Sequence, residues 1–228
     1  MRYVDLLWRC GALGTLVAAV AGCAGVATPK PAQTPPAASA PAAPPPSGAA
    51  AGRAKETPSG ISPAVQSQFD HALDALSAGH AEEAARGFLD LIRTHSELGG
   101  PHANLGIIYR QAGKQAEAVA ELEQAVLLNP QQPVFLNQLG IAYRGQGQFG
   151  KARDAYEKAI ALDPTYPSAY LNLGILFDLY FWDSKRALEL YDRYLVLTPG
   201  GDDKVVKWVA DIKNRNQQGG KLSRQEQP

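Results

Sequence analysis

The sequence predicts an all-α domain of stacked antiparallel helix pairs, and three observations predict it. First, a block recurs at 34-residue intervals: Gly106, Gly140 and Gly174 are each preceded by a leucine (Leu105, Leu139, Leu173) and followed three positions later by an aromatic ring (Tyr109, Tyr143, Phe177). Second, a companion half-block keeps the same interval, pairing Ala118 with Ala152, Leu122 with Tyr156 and Ala125 with Ala159. Third, each block ends on a proline, Pro130, Pro164 and Pro199. Proline lacks the backbone N–H that a helix interior needs, so these positions close helices. A repeat of this length is one supersecondary unit that cannot cover its apolar face alone, and so it stacks.

From the N-terminus, Arg2 and Arg9 flank Leu6, Leu7 and Trp8, and an uncharged run of 13 residues follows from Cys10 to Gly22. That length suits a secretory leader (1–22) rather than a membrane-spanning helix, which needs about 20 apolar residues. The run ends in Val20-Ala21-Gly22-Cys23, which resembles the lipobox of bacterial lipoproteins. The resemblance implies cleavage before Cys23 and lipidation of Cys23. With Ala24 rather than aspartate next, it also implies delivery to the periplasmic face of the outer membrane. Each buried CH₂ of an acyl chain contributes about 0.8 kcal/mol, and stable anchoring takes more than one chain. Cys10 would leave with the leader and Cys23 would be blocked as a thioether, so no thiol remains for a disulfide, a metal or a nucleophile.

Residues 23–60 read as the anchor and a disordered tether. This stretch holds nine of the 17 prolines, and residues 24–60 carry 12 alanines, no aromatic residue and one branched aliphatic, Val26. Such a composition buries too little apolar surface to offset the entropy of ordering. In the polyproline conformation it would reach on the order of 100 Å.

The body, 61–216, is where a core forms. Overall the chain balances 22 basic against 22 acidic residues, but Ile61 to Arg215 holds 15 basic and 19 acidic side chains. Nucleic-acid binding requires the opposite sign. The units fall at about 65–98, 99–132, 133–166 and 167–201. The first is degenerate, with Ala72 where its siblings have glycine and with Ala84, Phe88 and Leu91 in register. Gly113 and Gly147 suit left-handed turns between helices. The last unit has one residue too many near Tyr180-Phe181-Trp182-Asp183: Gly174 to Ala187 is 13 residues, against 12 from Gly106 to Ala118. Asp202 and Asp203 suit a helix start, and Val205, Trp208 or Val209, and Ile212 make one stripe of a capping helix over 202–215. The tail, 217–228, reads as unstructured.

This pattern of Leu-Gly, aromatic, alanine, second aromatic, alanine and terminal proline resembles the tetratricopeptide repeat (TPR) family. The resemblance implies a superhelix of about three full repeats, a degenerate first one and a cap. It further implies a concave groove, lined by the first helix of each repeat, that holds a peptide or helix. The family's groove positions fall on Ala103, Ile107 and Arg110, on Asn137, Ile141 and Arg144, and on Leu171, Ile175 and Asp178. Members that clamp a carboxyl terminus carry Lys and Asn at several of these places, where this chain mostly has aliphatics. The expected groove is an apolar strip with Arg110 and Arg144 toward one end, Asp178 toward the other, and Asn137 free to bond a ligand backbone. Tyr180, Phe181 and Trp182 form a second candidate patch, either an exposed anchor or a cluster packed on Trp208 and the cap.

Other motifs carry no chemistry. Gly145-Gln-Gly-Gln-Phe-Gly150-Lys151 matches two phosphate-binding patterns, but both require a preceding strand, and Ala152 stands where a magnesium-binding hydroxyl belongs. His71, His80, His95 and His102 lack zinc-site spacing and show no evident carboxylate partner. The expectation is a scaffold with no catalytic, cofactor or metal site, binding a protein segment and reaching the membrane through its lipid, with no small-molecule substrate. In plan it is similar to TPR lipoproteins that assemble pilus and secretion machines. Regulation of a peptidoglycan or other envelope enzyme, and service in an energy-coupled inner-to-outer membrane complex, are the alternatives.

Overall fold

The computed structural model describes residues 61–225, with side chains as far as Gln217; Cys23, the leader and the Pro/Ala tract lie outside the described residues. Nine α-helices and no strand occur among the described residues: α1 Pro63–Ser77, α2 Ala81–Thr94, α3 Gly99–Gln111, α4 Gln115–Leu128, α5 Pro133–Gly145, α6 Phe149–Leu162, α7 Pro167–Leu179, α8 Ser184–Leu197 and α9 Asp203–Gln225. None of them is long and apolar enough to cross a membrane. Each odd-numbered helix through α7 packs on the next to make a pair, and each pair packs on its neighbour through consecutive helices.

Local chemistry sets the helix ends. Ser62 caps α1 by accepting the Val65 N–H, and Pro63, Pro133 and Pro167 sit at first-turn positions where a missing N–H is harmless. Within the first three pairs the turn uses a left-handed glycine: Gly79, Gly113 and Gly147 have φ of 85°, 76° and 73°. The turn between α7 and α8 is four residues long instead of three, and there the left-handed position falls to Trp182, at φ 57°.

Packing explains the glycines that repeat inside the first helices. A Cβ on Gly140 would stand 2.5 Å from the Tyr156 ring, one on Gly174 2.7 Å from the Tyr191 ring, and one on Gly106 2.7 Å from Leu122 Cγ. Each of these three pairs thus presses a large side chain of its second helix into a hollow on its first, and these side chains are fully buried or nearly so. In the degenerate pair the hollow changes sides, because Ala72 of α1 meets Gly87 of α2. Burying such side chains contributes about 1.5–3 kcal/mol each.

The cap differs from expectation in length. Asp202 caps α9 by accepting the Lys204 N–H at 3.0 Å, and Val205, Val209 and Ile212 bury against Ala187 and Tyr191. The helix then runs on to Gln225, through residues expected to be unstructured. Gln217, Gln218, Lys221 and Arg224 are good helix formers, and extending a packed helix requires no new nucleus.

Candidate functional site

First helices touch first helices along the stack, α3 with α5 and α5 with α7, while second helices make no comparable contact. The side of a curved stack on which elements approach is its inner side, so α3, α5 and α7 line the concave face. The nine residues picked from sequence all lie on these helices, in three rows spaced by the repeat.

The first row is largely consumed by packing. Ala103 is 1% exposed, and Asn137 is 2% exposed with its amide already engaged: its oxygen accepts from Asn172 Nδ2 at 3.0 Å and its Nδ2 donates to Tyr166 Oη at 3.4 Å. Asn137 therefore stitches α5 to α7 and to the loop before α7, and is not free for a ligand backbone. The second row opens progressively. Ile107 is buried, Ile141 and Ile175 are half-buried, and Leu171 of the first row shares that partial exposure. Leu171 and Ile175, however, also pack against the cluster that seats the cap.

The third row carries the charge. Asp178 accepts from Arg215 of α9 at 2.9 Å, so its charge is neutralised within the chain. Asp178 and Arg215 form the rim of an open depression of about 430 Å³, shared with Trp208, Asp211 and Asn214. By contrast, no described carboxylate pairs with Arg110 or Arg144. Arg110 Nε and Arg144 Nη1 are buried without a hydrogen-bond partner, and so is the hydroxyl of Tyr156. Burial, and then Arg144, hold Arg110 below its ordinary value, and burial pushes the Tyr156 phenol up. Of the expected bipolar groove, the acidic end is thus neutralised, and the basic end keeps two arginines with no carboxylate partner among the described residues.

A protein-family model described as a TPR repeat matches residues 106–147 and again 140–178. Residues 106–178 therefore carry tetratricopeptide repeats. No curated protein sequence matches it. Among solved structures it is similar to PilF of Pseudomonas aeruginosa, at 20% identity and TM-score 0.63 over 68% of this chain and 70% of that one. It is similar to MamA (41-end) of Desulfovibrio magneticus RS-1 at 19% identity and TM-score 0.60 over 72% and 92%. A thermophilic TPR protein of Thermus thermophilus follows at 23% identity and TM-score 0.56 over 65% and 80%. At these identities the likeness is one of fold, and the fold is that of a protein-interaction scaffold.

In TPR terms the departures fall in the last repeat. The aromatic patch divides. The Tyr180 ring stacks on Phe149 of α6 with centroids 4.4 Å apart, and Phe181, 37% exposed, leans on Phe177. Trp182 is 71% exposed and packs on neither Trp208 nor the cap; it is Tyr191 that meets Trp208, at 5.9 Å. The glycine-rich segment 145–151 is the turn between α5 and α6, with no strand before it. His102 does have a carboxylate partner: Nδ1 lies 2.6 Å from Glu121 Oε2, joining α3 to α4. That contact spans 19 residues and was invisible to local spacing. No group of three His, Cys, Asp or Glu side chains among the described residues is placed to hold a metal.

Proposed function

We propose that this protein is a lipid-anchored, non-catalytic TPR scaffold of the bacterial envelope, which holds a segment of a protein partner in its concave groove and supports assembly or localisation of an envelope complex. The observation that carries the reading is the concave face itself: half-buried Ile141, Leu171 and Ile175 in line, beside two arginines that each keep a buried nitrogen without a partner among the described residues. Monomeric surfaces rarely leave such groups together unless something covers them. Anchoring rests on Val20-Ala21-Gly22-Cys23, and the Pro/Ala tract would supply the reach from membrane to partner. Similarity in plan to the TPR lipoproteins of pilus and secretion machines favours an assembly role at the outer membrane.

The test is genetic and biochemical. Deleting the protein is expected to abolish an outer-membrane ring multimer. Full-length protein should restore it, whereas Cys23→Ala, which removes the lipid, and Ile141→Glu, which charges the groove, should not. Normal multimers with altered wall crosslinking would instead favour regulation of a peptidoglycan enzyme.

A further inference from the structure

The concave face holds one unit that groove binding alone leaves unexplained, and the inference drawn from it rests on the groove reading above. Arg110 of α3 and Arg144 of α5 stand at equivalent positions, 34 residues apart, on helices that touch. Arg144 acts electrostatically on Arg110, and both act on Tyr156, whose fully buried ring fills the hollow at Gly140. A guanidinium cannot escape by losing its proton, so the free protein keeps two like charges in a partly desolvated place. Three buried polar atoms there have no partner among the described residues: Arg110 Nε, Arg144 Nη1 and Tyr156 Oη. One repeat further along, the same row shows how the fold satisfies such a charge when it does so internally, by pairing Asp178 with Arg215.

We propose that the Arg110–Arg144 pair is a built anion site, and that its ligand is the side-chain carboxylate of an Asp or Glu in the partner segment. Two guanidiniums of like charge in neighbouring repeats suit a carboxylate, which would relieve the repulsion between them. The neighbouring surface sets the sequence context. Ile141 lies one helical turn before Arg144 on α5, so the ligand pattern is an acidic residue with an aliphatic one about a turn away. The Asp178–Arg215 pair leaves no free acidic group on this row for a basic residue of the partner, which gives the groove one preferred sign.

Blocked peptides test the site on the full-length chain. The probe is an amphipathic peptide with Leu and Glu one turn apart and both termini capped; its twin carries Gln in place of Glu. The Glu peptide should bind about tenfold or more tightly than the Gln twin, lose that advantage in high salt, and shift the Nε–H resonances of Arg110 and Arg144. Arg144→Gln should equalise the two peptides while raising Tm by a few degrees, and Arg144→Lys should retain part of the preference. Ile141→Glu should weaken both peptides together, which reports on the groove rather than on the anion site. Equal binding of Glu and Gln peptides overturns the proposal while leaving the groove intact, and failure of both peptides to bind overturns it outright. A Gln peptide with a free C-terminus that matches the Glu peptide reassigns the pair to a terminal carboxylate. Inorganic phosphate giving the same shifts at the same concentration makes the site one for an adventitious ion only.

Discussion

The middle of the stack and its C-terminal end are built from the same repeat yet finish differently. In the middle, α3 to α6, the turns are three residues with a left-handed glycine, the aliphatic Ile141 is half-open, and two arginines lack counter-charges. At the end, α7 to α9, the turn has an extra residue, the aliphatics Leu171 and Ile175 lie against the cluster that seats the cap, and Asp178 is paired with Arg215. A solenoid's last unit exposes a face that its siblings bury, so the end is organised for closure. The middle already has neighbours on both sides, and its polar groups can stay unsatisfied until a ligand arrives. On the proposed reading closure and recognition are separate, and charge substitutions in the two regions should have opposite signs.

The largest effect is expected at the end. Tyr191 is 1% exposed and fits the hollow at Gly174 while touching Trp208, so Tyr191→Ala removes the ring that joins α7, α8 and α9. A loss of about 3–5 kcal/mol is expected locally. Hydrogen exchange should show α8 and α9 opening while α3 to α6 stay protected, since repeats couple mainly to neighbours. Uniform loss of protection along the chain would dissolve the distinction between end and middle.

In the middle, Gly140→Ala tests the hollow without touching charge. Alanine is the better helix former by about 1 kcal/mol, yet its Cβ would meet the buried Tyr156 ring at 2.5 Å. Overpacking should win and the domain should lose about 1–3 kcal/mol, read by denaturant midpoint. Gly150, with open space around it, is the control, and Gly150→Ala should be neutral or stabilising.

Charge separates the regions by sign. Arg144→Met removes half of an uncompensated pair and should raise stability by about 1 kcal/mol, worth about 2–4 °C in Tm for a domain of this size. Arg215→Ala strips the partner from Asp178, which is itself mostly shielded, and should lower stability by up to about 1 kcal/mol, less at high salt. Calorimetry at low and high ionic strength reads both. Destabilisation by Arg144→Met would mean that the pair is structural.

What the sequence disclosed and what it withheld follow from contact range. The 34-residue recurrence of Gly, Leu and an aromatic was enough for the helix pairs, because each repeated residue answers a contact that every pair must make. The row of arginines was legible for the same reason, and their lack of a counter-charge was not, because that depends on every helix packed around them. Asn137 was placed on the right helix and given the wrong role, since its partners Asn172 and Tyr166 come from the next repeat. Asp178–Arg215 joins residues 37 apart across a repeat and the cap, a separation outside the repeat register. Helix α9 continues to Gln225 beyond the expected cap, since even Gly219 and Gly220 cost only about 1 kcal/mol each inside an extending helix.

The smallest expected effect is the most discriminating for the end region. Trp182 holds the left-handed position that glycine holds in the other three turns, at φ 57°, and it leaves 71% of its surface in solvent. A non-glycine residue there costs about 1–2 kcal/mol, partly offset in a Trp182→Gly variant by the greater freedom of the unfolded chain. The variant should therefore gain about 0.5 kcal/mol, visible as a small rise in the denaturant midpoint. If the end is purely closure, that gain should come with no change in partner capture in cells. A gain in stability accompanied by loss of capture would give the end a recognition role of its own, with the exposed indole as its anchor, and would divide binding between the groove and the last turn.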